Sequence, residues 1–306
     1  MKIYRILIPL IMLSALIFAG AYCCYPRARA EAVYREMAAR AGVVKREVSL
    51  DGYIVHYYES ESGSGETLLL LHGLGGDKTS FLESAVTLKD KFHLIFPDLA
   101  GHGDNGRRAG IDYSINGQAG FLRRFADAKG LGSFNLGGNS MGGHVAAAFA
   151  VMYPRMVKSL VLINSAGITT GGNHAYTGYG GPIGSMDELR SAMSFAYSHV
   201  PAISFTESLY MMRKHNSSRD FIAGTVIPGI RNGKYFDLTE YLGRIKAPTI
   251  IIWGADDRVI TLSVAEKFHG LIKGSRLVVI EKTSHCPQLE KPEEVAEEII
   301  HYITTE

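Results

Sequence analysis

"SFNLGGNSMGGHVAAAFAVMYP", residues 133–154, is the stretch on which the reading of this chain turns. Its first six residues read as a strand. The remainder, small and apolar, reads as a helix that stops before Pro154. At the junction, Gly138-Asn139-Ser140-Met141-Gly142 fits G-x-S-x-G. Between a strand and a helix that pattern is a nucleophile elbow, a tight turn that presents one hydroxyl. Glycine is expected on both flanks because backbone passes close to the turn. The helix that starts there aims its first N–H groups and its dipole at the serine, which favours developing negative charge.

Outward from this stretch, strands and helices alternate. Asp51-Gly52 reads as a hairpin turn between "REVSL" and "YIVHYYES". "TLLLLHG" (67–73) is a continuous apolar run, as in a strand buried on both faces. A helix is expected over about 77–88, then the strand "FHLIFPD" (92–98), then a helix over about 114–129. After the opening stretch come the strand "VKSLVLINSAG" (157–167), the strand "APTIIIWG" (247–254), a helix near 262–272, the strand "SRLVVIEK" (275–282) and a last helix from Pro292. Such alternation predicts a mostly parallel, doubly wound α/β sheet. Residues 168–246 interrupt it with glycine clusters and segments such as "SMDELRSAMSFAYSHV", a connection too long to be plain loop. They are read as a mostly helical cap over the carboxyl ends of the strands, where such sheets place ligands. The core is then 45–167 together with 247–306.

A serine hydroxyl needs a base. His285, in "EKTSHCPQLEKP" (281–292), follows the last strand and precedes the last helix, the position such a base requires. A carboxylate should orient the imidazole, and "IIIWGADDRVI" (250–260) offers Asp256 and Asp257 just after a strand. The alternative place for the acid, after the preceding strand, reads Asn164-Ser165 and holds no carboxylate. The order Ser, Asp, His is that of hydrolases built on such sheets. An oxyanion needs two backbone donors: Met141, which follows the serine, and Leu74 in the loop His72-Gly73-Leu74-Gly75-Gly76. His72 is read as a structural residue that bonds loop backbone, and His144 as packing.

Composition narrows the class. The chain has 306 residues, 46% of them hydrophobic and 20% charged, as in ordinary globular proteins. A net charge of +2 gives no reason to expect nucleic acid. The histidines show no metal-ligand spacing, and neither a metal nor a cofactor is expected. Three cysteines, two of them adjacent at 23 and 24, do not make a disulfide framework. The N-terminus is exceptional. After Lys2 and Arg5 there is no charge from Ile6 to Tyr25, a run that as a helix would reach about 30 Å, the thickness of a bilayer core. Residues 1–25 are expected to be a single-pass membrane anchor, with a cleaved signal peptide and export as the alternative. Arg27, Arg29, Arg35 and Arg40 weakly favour a cytoplasmic main domain. Residues 26–44 read as a helical stem.

Taken together, "LLLHGLGGDKTSF", "FPDLAGHGD", "GGNSMGGHVAAAFAVMYP", "LVLINSAG", "WGADDRVI" and "SHCPQLEKP" resemble the α/β-hydrolase superfamily over about residues 45–304. Within it the chain looks most like membrane-anchored monoacylglycerol lipases and related bacterial lipases and esterases. The resemblance implies a Ser140–His285–Asp257 triad, because the family's acid usually stands four residues after the Trp of "WGxxD". It also implies an ester or lipid substrate cleaved through an acyl-enzyme. Asp98, Gly101 and Gly103 match a structural loop of the family. Asn105 stands where many members have serine, a change expected to matter little. Carbon–carbon bond hydrolases share "GNSMGG" but usually carry Trp after the histidine, where this chain has Cys286. Ser140 argues against dehalogenases and epoxide hydrolases, whose elbow holds Asp. A non-catalytic binding protein on the same fold is the alternative of another class.

Overall fold

The computed structural model describes residue 12 and residues 25–61, 65–169 and 175–305. The apolar run of residues 1–25, and with it the anchor or signal-peptide reading, lies almost wholly outside the described residues. Among the described residues, no helix is long and apolar enough to cross a membrane.

One eight-stranded sheet organises the chain, in the order β1-β2-β4-β3-β5-β6-β7-β8. Strands β1 (Val43–Leu50) and β2 (Tyr53–Ser60) form an antiparallel hairpin. Its turn is Asp51-Gly52, both residues at positive φ, as a tight two-residue hairpin requires. β2 pairs antiparallel with β4 (Phe92–Pro97), and the pairs from β4 to β8 are parallel. Strands β3 (Glu66–Leu71), β5 (Phe134–Asn139), β6 (Val157–Ile163), β7 (Thr249–Gly254) and β8 (Arg276–Ile280) supply the rest. β3 is flanked by β4 on one side and β5 on the other. The strand order therefore reverses there, which opens a crevice at the carboxyl ends.

The apolar runs divide by alternation between two faces. Leu69, Leu71, Leu160, Leu162, Ile251 and Trp253 enter one core cluster. Leu68, Leu70, Val161, Ile163, Ile250 and Ile252 enter the other. The first face is covered by α3 (Ile115–Ala128), α4 (Met141–Met152) and α8 (Leu262–Leu271). The second is covered by α1 (residues 25–40), α2 (Leu82–Leu88) and α10 (Pro292–Thr305). α4 buries ten of its twelve residues. Its alanines and glycines let it lie close against the sheet, with its N-terminus at the reversal.

Two expectations need adjustment. The predicted helical stem is not free of the core: Ala30, Ala38 and Ala41 are buried, and β1 begins at Val43, inside the segment assigned to the stem. The predicted helix over 77–88 opens as a 3₁₀ turn, Lys78–Phe81, before α2.

The 168–246 segment carries α5 (Met186–Ala196), α6 (Phe205–Phe221) and α7 (Ile227–Arg231). A π-helical turn, Ile222–Val226, joins α6 to α7. Pro228 explains it, since proline removes a donor and crowds the carbonyl four residues back, and a wider turn relieves both. Ile183, Leu189, Met193 and Met212 form a small cluster of their own with Tyr197, Ile203 and Leu209 against it. Most of the segment's other buried apolar residues, among them Tyr176, Ile222, Ile227, Ile230 and Leu238, join the main core instead, while Phe195 and Phe205 remain exposed.

Candidate active site

Ser140 sits between β5 and α4 with φ 55° and ψ −118°. Positive φ is costly for a residue with a Cβ, so the surroundings must enforce it. They do so through the backbone. Ser140 N donates to Ile163 O (3.0 Å), and Ser140 O accepts from His144 N (3.0 Å) and Ala166 N (3.1 Å). The flanking glycines are required by contact. A Cβ at Gly138 would strike the Gly142 carbonyl, and one at Gly142 would strike the carbonyl oxygens of Leu71 and His72.

The loop after β3 lies against this elbow: a Cβ at Gly73 would stand 3.3 Å from that of Ser140. Gly76 N donates to Gly73 O (3.0 Å), and Gly75 takes φ +74°. This is a type II turn with Leu74 at its first central position. The turn leaves the Leu74 N–H outside its own hydrogen bond. His72 Nδ1 also donates to Gly73 O (2.8 Å), while its Nε2 accepts from Leu99 N (3.0 Å). Burial pushes its pKa down to about 4, so the ring is neutral and both nitrogens are spent on backbone. Its expected structural role is what the geometry displays. Met141 opens α4, and the first N–H groups of a helix have no intrahelical acceptor.

His285 lies between β8 and the short helix α9 (Pro287–Glu290). Its Nδ1 stands 2.9 Å from Asp257 Oδ2, and both side chains are buried. The other carboxylate oxygen, Asp257 Oδ1, accepts from Val259 N (2.7 Å) and Ile260 N (2.9 Å). These bonds fix the carboxylate plane and direct Oδ2 at the ring. With Nδ1 so engaged, Nε2 is the nitrogen left to act as a base. Asp256, the other member of the pair, is exposed and accepts from Ser198 Oγ (2.7 Å) instead.

Three site residues escaped the sequence reading. Asn164, which follows β6, donates to Asp257 Oδ2 (2.6 Å) and to Ser284 O (3.2 Å), and accepts from Gly254 N (3.1 Å). The position that holds no acid thus holds an amide that grips the acid. Asn139, beside the serine, donates to His285 O (2.9 Å). Glu290 accepts from Ser284 N (2.7 Å) with one oxygen and from Ser198 N (2.8 Å) with the other. It therefore ties the histidine loop to the segment after α5. The last residue of α5 itself offers Ala196 O to His285 N (3.1 Å). An amide one residue past a strand was the available signal for Asn164; nothing local marks Glu290.

The β4–α3 loop is held by ionic contacts. Asp98, fully buried, accepts from Lys78 Nζ (2.8 Å), Lys78 N (2.7 Å) and Asp104 N (2.9 Å). Gly103 must be glycine, since a Cβ there would collide with the Asp98 carboxylate. Asn105 matters more than expected. It accepts from the part-buried His56 N (2.8 Å) and donates to the buried Asp98 O (2.6 Å), two backbone groups satisfied by one amide. His144 is packing, as read: Nδ1 meets Tyr176 Oη (2.9 Å) and Nε2 meets Tyr235 O (2.7 Å).

The crevice at the strand reversal thus gathers the serine, the histidine–aspartate pair and the Gly73–Gly76 turn. Residues 68–298 match the model of the alpha/beta hydrolase family. This chain belongs to that family. Among relatives of this hydrolase, Lipase 1 of Psychrobacter immobilis is 30% identical over 248 residues, 79% of this chain and 78% of that protein. Monoacylglycerol lipase abhd6-A of Xenopus laevis is 26% identical over 314 residues, 96% of this chain and 92% of that one. Among solved structures, a bacterial membrane phospholipase A superposes with a TM-score of 0.87 at 30% identity, covering 99% of this chain and 98% of the other. The hydrolase is of the lipase and esterase type by these relationships.

Proposed function

We propose that this hydrolase cleaves lipid esters such as monoacylglycerols by a serine acyl-enzyme mechanism, with Ser140 as nucleophile, His285 as base and Asp257 as the orienting acid. The observation that carries this reading is the His285–Asp257 pair at 2.9 Å, with the His285 carbonyl bonded to Asn139, the residue before the strained Ser140. Ser140 Oγ attacks the ester carbonyl while His285 Nε2 takes its proton, and Asp257 stabilises the resulting imidazolium. The N–H groups of Leu74 and Met141 receive the oxyanion, each worth about 3 kcal/mol in the transition state. The imidazolium then protonates the leaving glycerol oxygen. A water activated by the same ring releases the fatty acid.

The lipid part rests on the names of the relatives, lipases and a membrane phospholipase A, and on the apolar run 6–25. In this reading residues 1–25 anchor the chain in a membrane, and residues 168–246 cap the acyl site. A panel of monoacylglycerols and p-nitrophenyl esters of rising chain length tests it. Turnover of medium or long acyl chains is expected. A sharp preference for acetyl esters, or no ester turnover at all, contradicts it.

A further inference from the structure

Asp77 directly follows the Gly73–Gly76 turn and caps the 3₁₀ turn Lys78–Phe81. Its Oδ1 accepts from Thr79 N (2.8 Å), and its Oδ2 pairs with Lys214 Nζ, which comes from α6 in the 168–246 segment. Asp77 is buried and Lys214 is partly buried. The backbone of Asp77 is held as well: its carbonyl accepts from Ser80 N (3.0 Å) and Ser80 Oγ (2.8 Å). A buried carboxylate stripped of its cation is costly, so this pair resists separation.

A second contact meets the turn one residue past Leu74. Gly75 lies so near the Tyr179 hydroxyl that a Cβ on it would strike that oxygen. Tyr179 is itself fastened to α6. Its ring stacks on His215, with centroids 5.0 Å and planes 20° apart. Beside it, Arg219 Nε donates to Gly180 O (3.0 Å), and His215 Nε2 meets Gly181 O (3.0 Å). One stretch of α6, residues 214–219, thus reaches the turn twice: directly at Asp77, and through Tyr179 at Gly75. Arg107 Nη1 donates to Ser217 O (2.7 Å) and ties the same stretch to the loop after β4.

The turn needs such support. Glycine at 73, 75 and 76 leaves it conformationally permissive, with few side chains to fix its place. An oxyanion donor works only if it is already aimed when charge develops. We propose that Lys214 and Tyr179 are positioning residues for ester cleavage: acting through Asp77 and Gly75, they hold the Leu74 N–H where the oxyanion forms. This role rests on the acyl-enzyme reading above, in which Leu74 is an oxyanion donor. Neither side chain has to touch the substrate, since each acts through the backbone of the turn.

The test uses the full chain, with p-nitrophenyl butyrate hydrolysis expressed per serine titrated by a fluorophosphonate. Lys214→Met should lower kcat roughly tenfold to a hundredfold and leave KM within about threefold, since a misplacement of ~1 Å costs about 10²-fold. The Ki of a trifluoromethyl ketone, which adds the serine oxygen to form a tetrahedral oxyanion, should rise in step with the loss of kcat/KM. Lys214→Arg should restore most of the rate, and Tyr179→Ala should repeat the Lys214→Met pattern. If Lys214→Met does not fold, Lys214→Met/Asp77→Asn replaces it, because that pair of changes leaves no unpaired carboxylate. Wild-type kcat in the folded variants overturns the proposal. So does a rise in KM with an unchanged ketone Ki, which would assign both residues to substrate entry. Absence of ester turnover by the wild type would refute the acyl-enzyme reading and this role with it. Turnover that the variants leave intact would refute this role alone.

Discussion

Asp257→Asn should leave the fold intact and stop the enzyme by trapping the wrong histidine tautomer. Asp257 Oδ1 accepts from Val259 N and Ile260 N, two fixed donors. An asparagine there must keep its oxygen toward them, which places its NH₂ where Oδ2 now stands. That NH₂ would face His285 Nδ1 at 2.9 Å and the Asn164 NH₂ at 2.6 Å. Donor would meet donor on the Asn164 side. On the ring side, Nδ1 must become the acceptor, so the proton moves to Nε2, the nitrogen that has to receive the serine proton. The imidazolium also loses its counter-charge. Loss of the base by this tautomer trap is worth about 10⁴ in kcat, or about 5 kcal/mol. The assay is p-nitrophenyl butyrate hydrolysis by wild type, Asp257→Asn and Asp256→Asn, each checked by thermal unfolding. Asp256→Asn should stay within about threefold of wild type, an order-of-magnitude bound for an exposed group off the ring. A folded Asp257→Asn protein retaining a tenth of the wild-type kcat would refute the assignment of the acid.

Other outcomes follow from neighbouring contacts. Asn164→Ala orphans the buried Gly254 N–H and removes a charge-assisted bond to Asp257, so unfolding free energy should fall by about 2–4 kcal/mol; kcat should drop roughly tenfold, as that bond is worth about 1.5–3 kcal/mol. An unchanged denaturation midpoint would show that the amide is dispensable. Glu290→Ala unties Ser284 N from Ser198 N, and a fall in kcat larger than the rise in KM is expected, because it loosens the histidine rather than the substrate. A pure KM effect would place Glu290 in substrate binding instead. Stability should fall on acidification. Burial depresses His72 and His144 to about 4 and His102 to about 3, so the unfolded chain binds more protons than the folded one below its own histidine pKa of about 6.5. The stabilisation is present above pH ~6.5 and is lost as pH falls through ~4, on the order of 3 kcal/mol per ring. Urea midpoints measured from pH 7 to 4 check this, and a flat profile would mean that these rings are solvated.

Most of the sheet was legible because burial on both faces writes itself as continuous apolar sequence. Leu68 to Leu71 is such a run, and its side chains divide between the two cores as strand geometry requires. The elbow was legible because glycine at 138 and 142 answers to local crowding that the motif encodes. Asp257 needed the resemblance, since Asp256 and Asp257 are equivalent by local pattern and differ only in which one the strand end points inward. Asn164 and Glu290 were illegible because their partners lie far off in sequence. Glu290 reaches Ser198, 92 residues away, and Asn164 reaches Asp257, 93 residues away. In the cap, apolar sequence does not distinguish a pocket wall from a small core, and Met193 and Met212 enter a small core. Asn105 was undervalued because a buried polar residue reveals its worth only through the backbone groups it satisfies.

The central claim is that Ser140 is the nucleophile, activated by this site and by no other. Treating the full chain with a fluorophosphonate and mapping the adduct by peptide mass spectrometry tests it directly. One adduct per chain is expected, on the peptide that holds Ser140. Labelling should be lost in Ser140→Ala and slowed sharply in Asp257→Asn. No adduct on folded wild-type protein, or an adduct that persists in Ser140→Ala, would contradict it.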